Sequence, residues 1–363
     1  MRLSWAELRD FRNHRRTRVK DVPDGLVVAV GPNGEGKTNL MEGIAFLFFL
    51  ASPRTSSTEP VVRRGAAAAY ARGEVEACEG RVLVEVEIPG RGANRVQVNR
   101  SPVRRKRDVR RQVRAVFFGP DDLMVVIGDP SKRRDFLDEA IRTLWPLKES
   151  AITAYDRALR QRNRLLKDWE GRGTPRGLEA WDAELLETGT ALMRLRADAV
   201  ARLAPSAEEE YLHLAGYGLA SDYAPNVWGE DLEWAFETRL AERRGDELVR
   251  RTTLVGPHRD DLALAVRDLG ARSFASHGEG WAAALCLRLG LASAIAGEIG
   301  ELPVVLLDDP FSALDPARQR HVAERLGARG QVFVSVADPS HVPSEAVQVW
   351  DVRAGSVTVR GGS

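Results

Sequence analysis

The chain has little of several things that mark common protein classes. It has two cysteines in 363 residues, Cys78 and Cys286, which excludes a disulfide framework and a paired-cysteine zinc site. Its longest apolar run, Ile44 to Ala51 (IAFLFFLA), falls far short of the roughly 20 residues of a membrane span. The opening MRLSWAELRD carries acids where a secretory leader needs an apolar stretch, so the expectation is a cytoplasmic protein with no membrane partner. Net charge is also scant. The 53 basic residues nearly match the 52 acidic ones, for a formal net of +1, which excludes a uniformly cationic DNA-coating protein. Lysine is rare, six of the 53. With abundant alanine and glycine that bias fits GC-rich coding, so arginine content alone does not point to nucleic acid. What remains is 44% apolar residues over a length suited to roughly two domains.

Three regions differ in pattern. In the first, Leu26–Val30 (LVVAV) reads as a buried parallel strand, Asn39–Leu50 as a helix, and Val113–Phe118 as a further strand. Between the last two, Val82, Val84, Val86 and Ile88 alternate as in a half-buried strand. In the second, Ala151, Ala154, Tyr155, Ala158, Leu159, Leu165, Leu166 and Trp169 fall on one helical stripe. Glu170–Gly177 breaks it, and Leu178, Trp181, Leu185, Thr188, Leu192, Leu195 and Ala199 make another. The second stripe steps by three and four, the heptad rule, so the pair reads as an antiparallel helical hairpin; two ordinary bundle helices fit as well. The third region returns to strand–helix alternation at Leu302–Leu307, Pro316–Leu326 and Gln331–Val336. The chain therefore reads as an α/β unit interrupted by a mostly helical insert.

Gly31, Pro32, Asn33, Gly34, Glu35, Gly36, Lys37 and Thr38 fit a phosphate loop, with a strand before and a helix after. The glycines let backbone N–H groups turn inward on phosphate oxygens, and the helix N-terminus aims positive potential there. Lys37, expected on an exposed loop, supplies a point charge for the β- and γ-phosphates, and the Thr38 hydroxyl a ligand for Mg²⁺. Far downstream an apolar strand ends in Asp308 and Asp309. Asp308 is the candidate second Mg²⁺ ligand and Asp309 the group that orients the attacking water. Ser312-Ala-Leu-Asp315 follows. Upstream, Phe274–Trp281 opens a long helix that Ser276 can cap, with Gly278 permitting close approach at an anion-binding N-terminus.

These residues resemble the ATP-binding-cassette ATPases. Gly31–Thr38 looks like Walker A, Ser276–Glu279 like the signature motif, Val304–Asp309 like Walker B and Ser312–Asp315 like the D-loop. The long separation of Walker A from the signature resembles the SMC-like branch. Within that branch the chain resembles the RecF family of recombination mediators, through Phe11-Arg-Asn-His14, Arg54-Thr55, Gly119–Leu123, Gly128–Asp138 and Gly256–Leu262. The resemblance implies a P-loop ABC-type ATPase head of two lobes with a short helical arm. Lobe I would comprise 1–120 with 296–363, and lobe II 121–295, with the arm at about 150–215 and the signature at 274–281. It also implies an ATP-driven homodimer, Mg²⁺ use, binding of double-stranded, single-stranded or junction DNA, with action at gaps or junctions, in a nucleoid-associated protein, and slow DNA-stimulated ATP hydrolysis. The implied partners are RecR, with RecO and RecA indirectly. Arg12 and Asn13 resemble a segment that touches nucleotide phosphates; a surface turn is the plainer reading. His258 and Arg259 read as part of a buried turn network.

Three departures stand out. Asp309 replaces the Glu of transport ATPases and has a shorter reach. Ala337-Asp338 stands where many cassettes carry a switch His. The Gly119–Leu123 region has no Gln.

One basic block is a candidate DNA surface. From Arg91 to Arg114 there are ten Arg or Lys and one Asp, including Arg104, Arg105, Lys106, Arg107, Arg110 and Arg111. Such a block binds phosphates without reading sequence. Lys132, Arg133 and Arg134 form a second cluster at a helix start, where positive charge opposes the helix dipole and so points to another use. A solvated face accounts for either cluster equally simply. Other readings of the whole chain are a long-armed SMC tether, a transporter's nucleotide-binding subunit, and a scaffold with a degenerate ATP site.

Overall fold

The computed structural model describes residues 1–171 and 173–360. Arg172, in the turn expected between the two long helices, and Gly361, Gly362 and Ser363, in the expected first lobe, lie outside the described residues.

The chain starts as a hairpin, β1 (Arg2–Phe11) and β2 (His14–Val19), then β3 (Leu26–Val30) and α1 (Lys37–Phe49). Four antiparallel strands follow: β4 (Ala68–Ala77), β5 (Gly80–Pro89), β6 (Arg95–Val98) and β7 (Ser101–Val103). They join the hairpin in one sheet of order β2-β1-β4-β5-β6-β7. After α2 (Lys106–Arg110) comes β8 (Ala115–Phe118), then α3 (Leu123–Ile127), α4 (Pro130–Leu144), α5 (Ser150–Asp168) and α6 (Leu178–Ala215). A small sheet of β9 (Leu219–Ala224), β10 (Asp261–Val266) and β11 (Leu269–Gly270) encloses α7 (Leu232–Arg250) in sequence. The chain closes with α8 (Ala271–Phe274), α9 (His277–Ile299), β12 (Val304–Asp308), α10 (Pro316–Gly327), β13 (Val332–Val336), β14 (Ala346–Arg353) and β15 (Ser356–Arg360).

The third sheet brings distant segments together, in the order β15-β14-β3-β13-β12-β8, with β14, β3, β13, β12 and β8 mutually parallel and β15 antiparallel to β14. All five residues of β3, of β12 and of β13 are buried, which is why these strands read as continuous apolar runs rather than alternating ones. The sheet divides the interior in two. Leu26, Val28 and Val30 point into a core shared with α4, α6 and α9, whereas Val27 and Ala29 point to a second core built on α1 and the antiparallel sheet. The period-two alternation of a strand does the dividing.

The two heptad-like stripes are α5 and α6, packed side by side. At 38 residues α6 is about 57 Å long. The pair is not a bare two-helix seam. Phe236 and Leu240 of α7 are buried in the same core, and a Cβ at Gly189 of α6 would meet the Phe236 ring at 2.6 Å. Arg162 of α5, fully buried, joins the three helices by reaching Glu247 at 2.6 Å, Asp182 at 2.7 Å and the Thr253 hydroxyl at 2.8 Å. By length and composition α9 could cross a membrane, but most of it is buried inside the protein as a core helix.

Candidate functional site

The phosphate loop leaves β3 at Gly31 and ends where α1 begins at Lys37. Its glycines are demanded by space. A Cβ at Gly31 would sit 2.3 Å from the Val352 carbonyl. At Gly36, with φ of 116°, one would press on the Asn13 amide at 2.7 Å. The turn between β1 and β2 therefore supports the loop directly. Asn13 Nδ2 donates to the Glu35 carbonyl at 3.1 Å, and its Oδ1 accepts from Asn39 at 2.8 Å. His14 Nε2 donates to the Gly36 carbonyl at 3.0 Å, and burial lowers the pKa of that imidazole. From the other side, Gly355 N–H donates to the Glu35 carbonyl at 2.9 Å and Ala354 N–H donates to the Glu35 carboxylate.

Lys37 is not on an exposed surface as expected. It is 7% exposed, and its ammonium donates to the Gly31 carbonyl at 2.6 Å and the Pro32 carbonyl at 2.9 Å, folded over its own loop. Burial lowers its pKa, opposed by the carboxylates of Asp309 and Asp308.

The second half of the site arrives on β12 and β13. Thr38 Oγ1 and Ser335 Oγ both donate to Asp308 Oδ1, at 2.9 and 2.7 Å, and Asp309 N–H donates to Ser335 Oγ at 2.9 Å. Burial raises the Asp308 pKa against those two hydrogen bonds. At Asp309, burial and then the charge of Asp308 raise it. Asp309 has a φ of 54°, a left-handed conformation that costs a non-glycine residue about 1–3 kcal/mol and marks the strand end as constrained. A hollow of about 240 Å³ lies over these groups, lined by Gly34, Lys37, Thr38, Arg54, Asp308 and Ser335 among others. Two adjacent carboxylates of raised pKa beside a hydroxyl form a hard-oxygen donor set that suits a small divalent cation.

Arg12 and Arg54 both meet the carboxylate of Glu42. The Arg12 guanidinium is used on the fully buried Glu42 of α1, through Nε at 2.9 Å and Nη2 at 2.7 Å, and on the Pro60 carbonyl at 2.8 Å. It anchors α1. Arg54 bonds the same Glu42 at 3.1 Å, keeps a partly exposed side chain and lines the hollow over the loop. Ser335 was missed altogether, because a serine inside an apolar strand carries no motif. Its place in the apolar run Gln331–Val336 is all that the sequence offers, and parallel pairing with the strand ending in Asp308 gives it its role.

Ser276 and Gly278 stand elsewhere. Ser276 caps α9, accepting from Glu279 N–H at 3.3 Å, while the Glu279 carboxylate accepts from Ser276 N–H at 2.8 Å. Those bonds, with the Tyr217 hydroxyl donating at 2.7 Å, lower the Glu279 pKa to about 2. Neither Ser276 nor Gly278 lines the hollow over the loop. A Cβ at Gly278 would meet the Ala313 carbonyl at 3.3 Å, so glycine lets the helix start lie against the Ser312–Asp315 segment.

Comparison with known proteins now decides the family. The description "RecF/RecN/SMC N terminal domain" matches residues 2–356. The DNA replication and repair protein RecF of Streptomyces avermitilis is 42% identical over 94% of this chain and 95% of its own length. The chain belongs to the RecF family. The RecF protein of Frankia alni is 40% identical, covering 98% and 99% of the two chains. A solved structure of the recombination mediator protein RecF with ATP, in the RecFOR pathway, superposes with a TM-score of 0.88 at 26% identity, covering 99% and 97%. The Smc head domain of Pyrococcus furiosus shares the fold, with a TM-score of 0.58 at 16% identity over 99% of this chain and 95% of that one. The RecF fold is thus an ABC-type ATPase head, mixed α/β with a helical insert.

In this RecF-family chain the basic clusters divide into free and spent charge. Arg104, Arg105, Lys106 and Arg111 are exposed. Arg107 is half-buried, and Arg110 pairs with Glu149 at 2.8 Å. In the second cluster only Lys132 is exposed. Arg133, expected on DNA, is buried and forks onto Asp261 at 2.6 and 2.9 Å, with a third bond to the Gly128 carbonyl. Arg134 donates to the Asp260 carbonyl at 2.9 Å. These two arginines fasten α4 to the Gly256–Leu262 segment. That explains cations at a helix start better than a nucleic-acid role does. Within the segment His258 contacts Tyr155 and Thr253, and burial lowers its pKa to about 4. Among the described residues no group of three or more His, Cys, Asp and Glu could hold a metal ion.

Proposed function

We propose that this protein is an ATP-dependent DNA-binding ATPase of recombinational repair and replication maintenance. The observation that carries the reading is the Thr38–Asp308 hydrogen bond, which joins the phosphate loop to an acidic strand end 270 residues away. The family and the RecF–ATP likeness support it.

In this reading the N–H groups of Gly31–Gly36 and the start of α1 receive the triphosphate. Lys37 exchanges the Gly31 and Pro32 carbonyls for β- and γ-phosphate oxygens, and the ligand's charge offsets the desolvation of its ammonium. Asn13 keeps the loop in register. Thr38 and Asp308 hold Mg²⁺, whose chemistry when bound is to neutralise charge developing on the transferred phosphoryl group. Asp309 orients the water, with Ser335 fixing its backbone N–H. Arg54 is the extra cation beside the γ-phosphate. Hydrolysis is weak, because Asp309 has a shorter reach than Glu, and it is stimulated by DNA.

The proposed division is lobe I, 1–120 with 296–363, and lobe II, 121–295, bearing the arm at about 150–215. Since α9 runs through Ile299, the second crossing is better set at Gly300. ATP drives a two-fold dimer in which each Ser276 faces the partner's γ-phosphate. The DNA partner is a gap or junction, met by Arg104, Arg105, Lys106 and Arg111. RecR is the direct protein partner, and RecO and RecA follow through it, toward RecA loading. A second reading, a non-hydrolysing ATP-switched scaffold, draws on the constrained Asp309.

One experiment separates them. Molar mass is measured with and without ATP and gapped DNA, alongside single-turnover hydrolysis. A doubled mass with phosphate release supports the ATPase, a doubled mass without release supports the scaffold, and an unchanged mass sinks both.

A further inference from the structure

Within the insert, α7 and the Gly256–Asp260 turn line a hollow of about 290 Å³ that shares no residue with the hollow over the phosphate loop. Its walls carry four guanidinium groups, Arg239, Arg243 and Arg250 from α7 and Arg259 from the turn, against one carboxylate, Asp246. Asp246 is already engaged with Arg243 at 2.9 Å. Among the described residues, Arg239, Arg250 and Arg259 have no carboxylate within 4.0 Å. Glu247 and Asp182 are used elsewhere, on Arg162 and Arg244, and Glu242, three residues from Arg239, is exposed and pairs with no cation among the described residues.

Like charges gathered in one concavity repel. Arg250 lies in the last turn of α7, where the helix dipole favours a cation. No such account covers Arg239, in the middle of the helix, or Arg259, on another element. Asn226, Leu254 and Val255 complete the lining, and Arg239 is half-buried within it.

We propose that this hollow is a second oxyanion site, taking phosphates of a nucleic-acid strand. The spacing favours a strand over one phosphate group. Arg239, Arg243 and Arg250 lie on one helical face at steps of four and seven residues, so their Cα atoms extend about 16 Å along the axis. A single phosphate cannot touch both ends of that row. A strand with one charge about every 3.4 Å can. Guanidinium forks suit phosphate oxygens.

The test uses the full chain, with ADP saturating the phosphate loop. The variants are Arg239→Gln with Arg250→Gln and, separately, Arg259→Gln. Unchanged ADP affinity and melting temperature certify that both are folded. Affinity for a labelled oligothymidylate is measured from about 50 to 200 mM salt, and AMP is titrated as the mononucleotide probe. The double variant is expected to weaken oligonucleotide binding and flatten the log–log salt slope by roughly 1.4, about 0.7 per contact, and the single variant by roughly half that. AMP is expected to bind none of the three proteins. AMP binding to the wild type that the variants lose, with oligonucleotide binding intact, overturns the strand assignment. So does identical oligonucleotide affinity and slope in all three proteins. If charge reversal at Arg104, Arg105 and Arg111 abolishes binding while these variants do nothing, this site fails and the proposed DNA function stands.

Discussion

Thr38 Oγ1 donates a hydrogen bond to Asp308 Oδ1 at 2.9 Å, although the two residues stand 270 positions apart. Parallel pairing makes this possible. β13 lies between β3 and β12, so the strand feeding the loop and the strand ending in acid finish at the same edge. Ligands of open α/β sheets bind beyond the carboxyl ends of the strands, where this bond lies.

Lys37→Met removes the ammonium that the loop now stores against two carbonyls. Each charged hydrogen bond contributes about 1.5–3 kcal/mol, so ATP affinity is expected to fall roughly 10- to 150-fold or more. Equilibrium dialysis reads it, and unchanged affinity refutes the role.

Ser335→Ala deletes the donor to Asp308 and the acceptor for Asp309 N–H. ATP binding should persist while single-turnover hydrolysis slows by roughly tenfold or more, the cost of about one charged hydrogen bond. A variant that hydrolyses at the wild-type rate shows that Ser335 is only a strand residue.

Both Asp308 and Asp309 have pKa values raised above the ordinary aspartate value. A protonated carboxyl binds a cation poorly, so the Mg²⁺ dependence of nucleotide affinity should weaken as pH falls, starting above the usual aspartate range. Their effect on stability has the matching sign. A group that holds its proton more tightly when folded opposes folding once pH exceeds the unfolded pKa, and that penalty fades as pH falls. Titrations of the nucleotide with and without Mg²⁺ at several pH values check this; an affinity difference independent of pH contradicts it.

Glu279 runs the other way. Its pKa is lowered from 4.5 to about 2 by its bonds to Ser276 and Tyr217. Its contribution to stability is full above the unfolded value and is lost as pH falls from about 4.5 toward 2. Glu279→Gln should flatten the acid limb of melting temperature against pH, and a limb that keeps the wild-type slope counts against the capping box as its source.

In the proposed dimer, Ser276→Arg should leave ATP binding at Lys37 intact and prevent association, because a bulky cation fills the trans site. Light scattering with ATP decides: a variant that still doubles its mass has no trans contact through Ser276. On the DNA side, Arg104→Glu, Arg105→Glu and Arg111→Glu together should flatten the duplex salt slope by up to about 2.7, at roughly 0.9 per contact. Arg107 is left out because its side chain is half-buried.

The amino-acid sequence by itself determined the phosphate loop, the Asp308–Asp309 strand end, the Ser276 helix cap and the helical insert. Each is a local pattern: glycines where backbone must approach backbone, apolar runs where both sheet faces are covered, a Ser-x-x-Glu box before a helix. It also carried the family, through short motifs spread along the whole chain. Tertiary structure alone decided which charges are free. Arg12 and Arg133 look like neighbours of other basic residues, yet one is committed to Glu42 and the other to Asp261, 128 positions away. The partner of a charge depends on strand order and helix packing, which no local window contains. The same holds for Ser335, an unremarkable residue in β13 until parallel pairing puts its hydroxyl against Asp308. It holds again for Arg239 and Arg259, which share one hollow only because α7 packs beside the turn after it.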